Sequence, residues 1–443
     1  MNRSCLLVKL LSLPRYTLSL FTFLLSCPGL FSQSTLTGKV IAKDSRQPLA
    51  SVSIYLNNTS IGTTTDDQGI FIIRNAPMGK YRLVATSIGY ESFDTLIDTR
   101  KANQELMISL NIKPQELEGF DVSPADPDGW KKWGELFTDI FIGTVPARAN
   151  YCKLTNPELL RFRLNKNNIL VVYSKEPLLI FNYALGYEIR YKLEDFEYDF
   201  NAKLVTYSGY AFFKDMALTH PGRVTQYAAA RWETYRGSLL HFMRAFYAND
   251  LEAQGFEMRS LGQISNPEKD LAKRWLSLHK DSVGMDSAHT RIRIHQDNDG
   301  QDLGALKDVK TDSTDYFKKI LLQPDSIISH QLITADSIGF AADSTIAGMY
   351  FQDSLEVSYL LKEVPGRYRN LSKEHKHESY PISQFVFTNK KPIFILYNGY
   401  YYNPYDLKIT GFWAWSECIS TRLPYDYSPI KQQRKVLTDK DVL

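Results

Sequence analysis

The 443-residue chain is poor in the residues that announce chemistry. It has four cysteines and eight histidines, and none stands at a metal-site spacing such as paired Cys-x-x-Cys or His-Glu-x-x-His. No Gly-x-Ser-x-Gly elbow and no Walker loop occurs, so the usual signatures of hydrolases and nucleotide enzymes are missing. Beyond residue 33 no run is apolar for the ~20 residues a spanning helix needs. A charge excess is missing too. The formal charge is +3, but residues 1–33 hold Arg3, Lys9 and Arg15 and no acid, so the remainder has 49 basic against 49 acidic residues. A chain at net zero lacks the footprint of a nucleic-acid binder. No nucleic-acid partner, metal or cofactor is expected.

What is present begins with an export signal. Three basic residues precede a short apolar core at residues 18–25, and small residues follow at Ser26, Gly29 and Ser32, the layout of a secretory leader. Cleavage near Ser32-Gln33 makes residues 1–33 the signal peptide. The alternative is a lipobox, Leu24-Leu25-Ser26-Cys27, with Cys27 as the acylated residue; Leu25 and the following Pro28-Gly29 depart from the usual pattern. Either way the protein is expected to be exported, periplasmic or outer-membrane-associated, with no membrane span in the mature chain. Cys5 and Cys27 leave with an ordinary leader. Cys152 and Cys418 remain, to pair in an oxidising compartment or to lie buried as thiols.

Residues 34–112 alternate apolar and polar in short runs separated by turn residues. Val52, Ile54 and Leu56 share one strand face, since successive side chains point to opposite sides. Asp44 to Pro48, Asn57-Asn58, Asp66-Asp67-Gln68-Gly69 and Pro77-Met78-Gly79 reverse the chain, with Gly69 free to take positive φ. About seven strands in some seventy-five residues is the spacing of a β-sandwich. The order Gly38-x-Val40, Pro48-Leu49, Val52-x-Ile54, Gly62-Thr63, Thr65-Asp66-x-x-Gly69-x-Phe71, Pro77-x-Gly79-x-Tyr81-x-Leu83 and Gly89-Tyr90 resembles the carboxypeptidase-like regulatory domain. That family has a transthyretin-like sandwich, sometimes described as a carbohydrate-binding-like fold, and is common in exported Bacteroidetes proteins. The resemblance implies a folding or docking role and no peptidase activity.

Residues 113–129 read as a linker, with Pro114, Pro124 and Pro127 among acidic residues. The phrase Gln115-Glu116-Leu117-Glu118-Gly119-Phe120-Asp121-Val122 resembles the junction that leads from such modules into TonB-dependent transporters. A barrel of about 22 strands of ~10 residues each would exhaust the chain and leave no room for a plug, so the transporter reading fails.

Residues 130–427 read as an α+β region with a β majority, followed by a tail at 428–443. Trp133, Phe137 and Ile140 recur at helical spacing near its start. Tyr187, Ile189, Tyr191 and Leu193 alternate with Glu188, Arg190, Lys192 and Glu194, a strand wet on one side. Residues 233–251 give the best helix, with Tyr235, Leu239, Phe242, Phe246 and Tyr247 on one face. The phrases Asn156-Pro157-Glu158, Pro177-Leu178-x-Ile180-x-Asn182, Leu185-Gly186-Tyr187 and Tyr235-x-Gly237-Ser238-x-x-His241-Phe242-x-Arg244 resemble the region accompanying such modules in Bacteroidetes envelope proteins. That implies an architecture and a compartment, and no reaction.

The candidate sites are few. Arg236, His241 and Arg244 lie on the polar side of the expected helix, where they hold an anionic ligand or form a solvated or interdomain face. His375-x-His377, between Glu374 and Glu378, lacks a third ligand for a metal. Asp297-Asn298-Asp299-Gly300 hints at a calcium loop, but its frame puts His295 first and Leu306 twelfth, so both anchoring carboxylates are absent. Ser277-x-x-Lys280 lacks the companion motifs of penicillin-binding enzymes. Between 281 and 355 lies a polar excursion in which Asp-Ser recurs before a small or apolar residue, at Ser282, Ser287, Ser313, Ser326, Ser337, Ser344 and Ser354. These pairs resemble the Bacteroidetes O-glycosylation sequon; the plain reading is that they start turns and cap helices. An aromatic run near the C-terminus includes Trp413 and Trp415, either core or a platform for sugar faces. The expectation is a non-catalytic binding or scaffolding protein whose partner is an envelope protein or glycan. The alternative is an envelope enzyme, hydrolase-like, with a site in the C-terminal region assembled from His241, His375 and His377.

Overall fold

The computed structural model describes residues 34–77, 79–101, 105–113, 125–278, 316, 319–371, 377–401 and 406–429. These form two compact units. The first comprises the described residues within 34–244, 396–400 and 415–429, the second those within 245–395 and 401–414. The region read as one domain from 130 to 427 is thus shared between two units, and its first half belongs with the sandwich.

The first unit opens with seven strands: β1 Ser34–Ala42, β2 Ser53–Leu56, β3 Gly62–Thr64, β4 Ile70–Ala76, β5 Lys80–Thr86, β6 Phe93–Asp98 and β7 Glu105–Leu110. They make two sheets, β4-β1-β7 and β3-β2-β5-β6. β1 runs parallel to β7 and the other pairs are antiparallel. The alternation seen in the sequence becomes the core, where Val40, Val52, Ile54, Leu56, Phe71, Leu83 and Ile108 are buried. Asp66 closes the β3–β4 turn by accepting from the backbone N–H groups of Gln68 and Ile70, and Gly69 takes φ +71.

The unit continues through helix α1, Gly129–Phe141, into a six-stranded antiparallel sheet. Its strands are β8 Cys152–Leu154, β9 Leu160–Leu164, β10 Ile169–Ser174, β11 Leu178–Asn182, β12 Tyr187–Asp199 and β13 Leu204–Asp215. Their order is β8-β11-β12-β10-β9, with β11 and β10 on the two halves of β12 and β13 paired along its whole length. Tyr187, Ile189, Tyr191 and Leu193 of β12 are all buried while Arg190 is exposed. α1 lays Phe137 and Phe141 onto that face, 5.0 Å from Phe196 and Tyr191 respectively. Gly129 lets the helix approach closely, since a Cβ there would stand 2.7 Å from Phe162.

The expected helix at 233–251 is two helices, α2 Val224–Tyr235 and α3 Leu239–Tyr247. Gly237 breaks them at φ +72, a conformation that costs a non-glycine residue and that no helix interior contains.

In the second unit strands β14 Phe256–Ser265, β15 Ser326–Ser329, β16 Leu332–Ile333, β19 Ser354–Tyr359, β20 Ile382–Phe387 and β22 Leu407–Gly411 form an antiparallel sheet ordered β15-β14-β19-β20-β22, with β16 also on β14, and helix α4 Pro267–Leu278 follows β14 in the chain. A smaller sheet joins β17 Gly339–Asp343, β18 Ile346–Met349 and β21 Ile393–Leu396. Leu355 and Phe385, paired across β19 and β20, are fully buried.

Candidate functional site

The three polar residues proposed on one helix face are placed apart by the break at Gly237. His241 is 5 % exposed, its ring 4.6 Å from that of Tyr235, and its Nδ1 accepts the Gly237 N–H at 3.2 Å. Arg244 donates to three main-chain carbonyls, those of Asn398, Tyr427 and Tyr425, at 2.9–3.0 Å. Its guanidinium lies 5.5 Å from the Tyr235 ring centre. Only Arg236 stays at the surface side, 3.9 Å from Glu233. His241 and Arg244 therefore tie the start of α3 to residues 396–400 and 425–427, and the solvated face expected for them is absent.

Trp413 is 2 % exposed, stacked on Phe385 at 6.3 Å, with its backbone N–H on Ser383 Oγ. Trp415 donates its Nε1–H to Thr144 Oγ1. The Trp413 ring is packed and offers no open platform, and Trp415 is half-buried with its indole N–H taken up. Of the proposed glycosylation serines, Ser326, Ser337 and Ser344 are exposed and Ser354 is half-buried at the start of β19; Ser337 donates to the Thr334 carbonyl, as a turn residue does. Ser282, Ser287, Ser313, Cys27, His375 and the Asp297–Gly300 turn lie outside the described residues. Cys152 and Cys418 are both buried, free thiols, and burial with Cys418 nearby pushes Cys152 up to about 12. Among the described residues no group of three or more His, Cys, Asp or Glu is placed to hold a metal, and no helix is long and apolar enough to cross a membrane.

The most elaborate polar structure is one the sequence reading missed. The β2–β3 turn of the sandwich is sewn onto β13, the edge strand of the six-stranded sheet. Asn58 N–H donates to Ala211 O at 2.8 Å, Phe213 N–H to Thr59 O at 2.9 Å, and Asn57 Oδ1 accepts from Ala211 N–H at 3.0 Å. Thr59, fully buried, forms a parallel bridge with Phe212. Asn58 adopts φ +54, which asparagine tolerates, and its carbonyl accepts from Tyr425 N–H. Asp426 receives the Ser60 N–H at 2.9 Å and the Ser60 hydroxyl. On the neighbouring strands Asp94 accepts from Tyr210 OH at 2.7 Å and from Arg82, and Tyr81 OH meets Tyr397 OH at 2.8 Å. An exposed edge strand invites foreign pairing; here the sandwich supplies the partner.

A second missed element is Arg231. It is 2 % exposed, forks onto both oxygens of Asp215 at 2.8 and 3.0 Å, donates to the carbonyls of Leu185 and Gly186, and lies 3.9 Å over Tyr187. In the second unit a groove of about 440 Å³ runs between the end of α3 and the β17–β18 hairpin.

The seven-strand sandwich finds its counterpart in a comparison with known families: residues 36–122 match the CarboxypepD_reg-like domain. The front of this chain is a carboxypeptidase-like regulatory domain. The match takes in the seven strands of the module and ends before α1. No curated protein matches the chain. Among solved structures, a type II cohesin–X-dockerin complex from Acetivibrio cellulolyticus is similar at 19 % identity over 20 % of this chain and 65 % of that one, TM-score 0.17. BcpA, the major pilin subunit of Bacillus cereus, is similar at 15 % identity over 18 % and 31 %, TM-score 0.16. The Bacillus anthracis TIE protein is similar at 14 % identity over 42 % and 32 %, TM-score 0.15. The chain spans less than two thirds of the length of each.

Proposed function

We propose that the chain is an exported, non-catalytic binding or scaffolding protein of the cell envelope, whose regulatory-like domain braces the sheet that follows it and whose partner is an envelope glycan or protein. The observation that carries this reading is the seam between the β2–β3 turn and β13. The regulatory-like domain spends its turn, its Asp94 and its Tyr81 on its own chain, as an organising module does. The fate of His241 supports the same reading. A general base needs an accessible nitrogen within reach of a substrate, whereas His241 is buried with Nδ1 occupied.

Incubation of the purified chain with the native envelope fraction tests this directly. The expected result is co-sedimentation with the envelope and no covalent change in its glycans, peptides or esters by mass spectrometry. Release of cleaved fragments that persists in His241→Ala would move the site elsewhere and still overturn the non-catalytic reading in favour of the hydrolase alternative. Failure to co-sediment would remove the binding reading.

A further inference from the structure

The groove of the second unit has the composition of a sugar site. Its floor and one wall are the β17–β18 hairpin, its other wall the end of α3. Phe340, on β17, is 46 % exposed, although an aromatic ring standing in water forgoes the burial that usually places it. Its position is built. Phe340 faces Gly348 across the hairpin, and a Cβ at Gly348 would come within 2.2–2.6 Å of three atoms at the ring's outer end. Any side chain there would push the ring away, so Gly348 holds it on the hairpin surface. Phe394 meets it edge-on at 6.4 Å.

The opposite wall is equally fixed. α3 ends in a double turn in which Asn249 N–H bonds to Phe246 O and Asp250 N–H to Ala245 O, with Asn249 at φ +53. That left-handed position is the one glycine fills most often. Asparagine occupies it here and uses its amide, donating to Asp336 Oδ1 at 3.1 Å. Tyr247 OH donates to Thr345 O at 3.2 Å, tying helix end to hairpin. The carboxylates of Asp336 and Asp343 also line the groove, and among the described residues no Lys, Arg or His does.

We infer that this groove binds a neutral saccharide, its sugar face against Phe340 and its hydroxyls on Asn249 and Asp336. The chemistry selects that class. A pyranose presents a face of C–H bonds, slightly positive, to the negative face of an aromatic ring, and hydroxyl donors around its rim suit carboxylate acceptors and a side-chain amide. Phosphates and acidic sugars would meet two carboxylates and no cation. The volume sits at the lower end of the range for small-ligand clefts, roughly 300–1,000 Å³, which suits a short oligosaccharide. This inference rests on the binding reading above and specifies its ligand class.

The test is a titration of the full chain with the neutral trisaccharides maltotriose, mannotriose and N,N′,N″-triacetylchitotriose, followed by calorimetry and by the fluorescence of Phe340→Trp, a reporter placed in the groove. At least one triose is expected to bind and to perturb that reporter. Phe340→Leu, which still covers Gly348 but lacks the π-face, and Asn249→Gly, which keeps the left-handed cap and removes the amide, are each expected to weaken binding about tenfold or more with an unchanged melting temperature. Triose binding that both variants leave intact would overturn the site while sparing the binding reading. No triose binding by a chain that still co-sediments with the envelope would overturn the sugar assignment alone. Loss of both would remove the two readings together. Tighter binding of sialyllactose than of the neutral trioses would also overturn it, since the groove's charge forbids that preference.

Discussion

Single residues explain why a chain with so few chemical signatures still contains strongly polar interior groups. Arg231 is the clearest, because its guanidinium is out of water and every bond it makes substitutes for lost hydration. Removing such a group leaves the buried carbonyls of Leu185 and Gly186 without their donor, while Asp215, whose side chain is 37 % exposed, keeps water and the Ala217 N–H. Arg231→Gln is expected to lose about 1–3 kcal/mol in chemical denaturation, the cost of buried acceptors left unpaired. Arg231→Lys should recover only part of that, because an ammonium cannot make the fork or the flat contact on Tyr187; a fully stable Lys variant would show that charge alone matters. The thiols give a second residue-scale expectation. A buried thiol held at about 12 has almost no thiolate at neutral pH, so Cys152 should react with a disulfide reagent only on unfolding. Rapid reaction of the native protein would contradict its burial. Asn156, Asn182 and Gly186, which drew attention as parts of recurring phrases, have structural roles. Asn156 bonds Pro177 O and Leu179 N–H, Asn182 bonds Ser420 O and Leu185 N–H, and Gly186, at φ +68, leaves room for the Tyr227 ring.

Among elements, the seam between the β2–β3 turn and β13 decides most. β13 pairs with β12 alone within its sheet, so one row of its backbone groups faces outward, and the turn satisfies part of that row. Asn57→Ala removes one acceptor and Tyr210→Phe one donor to Asp94. Each is expected to cost about 1 kcal/mol, typical of a single hydrogen bond, and the double variant to be cleaved faster in the β13 region under limited proteolysis. Unchanged protection of β13 in the double variant would mean that the strand is stable without the sandwich. The α2–α3 break shows the limit of periodicity at this scale. Residues 233–251 carry a helical apolar pattern, and the pattern survives in both helices, but a hydrophobic repeat does not register a single left-handed residue. Gly237 was the available signal, with Ser238 after it to receive the His241 N–H on its Oγ. Glu417 then accepts the Leu239 N–H at 2.8 Å, a negative group at the N-terminus of α3, where the helix dipole favours it.

For the molecule as a whole, the carboxyl groups of residues 415–429 should be visible in its acid–base behaviour. Burial raises Asp426, against the bonds from Ser60, and burial likewise raises Glu417, against the Leu239 N–H and Arg422. A carboxyl that holds its proton more tightly when folded contributes most below the ordinary carboxylate range and withdraws that contribution as pH rises from about 4 through its raised value. Asp98, held low by its bonds from Arg100, works in the opposite sense, stabilising above that range. Asp426→Asn removes one of the raised groups, so the melting temperature of the variant relative to wild type is expected to climb as pH is taken from about 4 to 7. A difference that stays flat over that window would show that Asp426 does not titrate against folding.

The sequence by itself determined the sandwich, β12 and α1, because each is specified by local alternation or by a repeat that its own residues supply: Val52, Ile54 and Leu56 on one strand face, Tyr187 to Leu193 on another, Phe137 and Phe141 on a helix. It also determined the neutral charge and the scarcity of reactive motifs. Tertiary structure alone decided which polar residues are used and for what. Asn57 and Ala211 are 154 positions apart and Ser60 and Asp426 are 366, and no local pattern encodes such pairings. The groove at Phe340 was equally illegible, since an aromatic residue in a strand reads as core until the opposite glycine and the far helix end show that it is held at the surface.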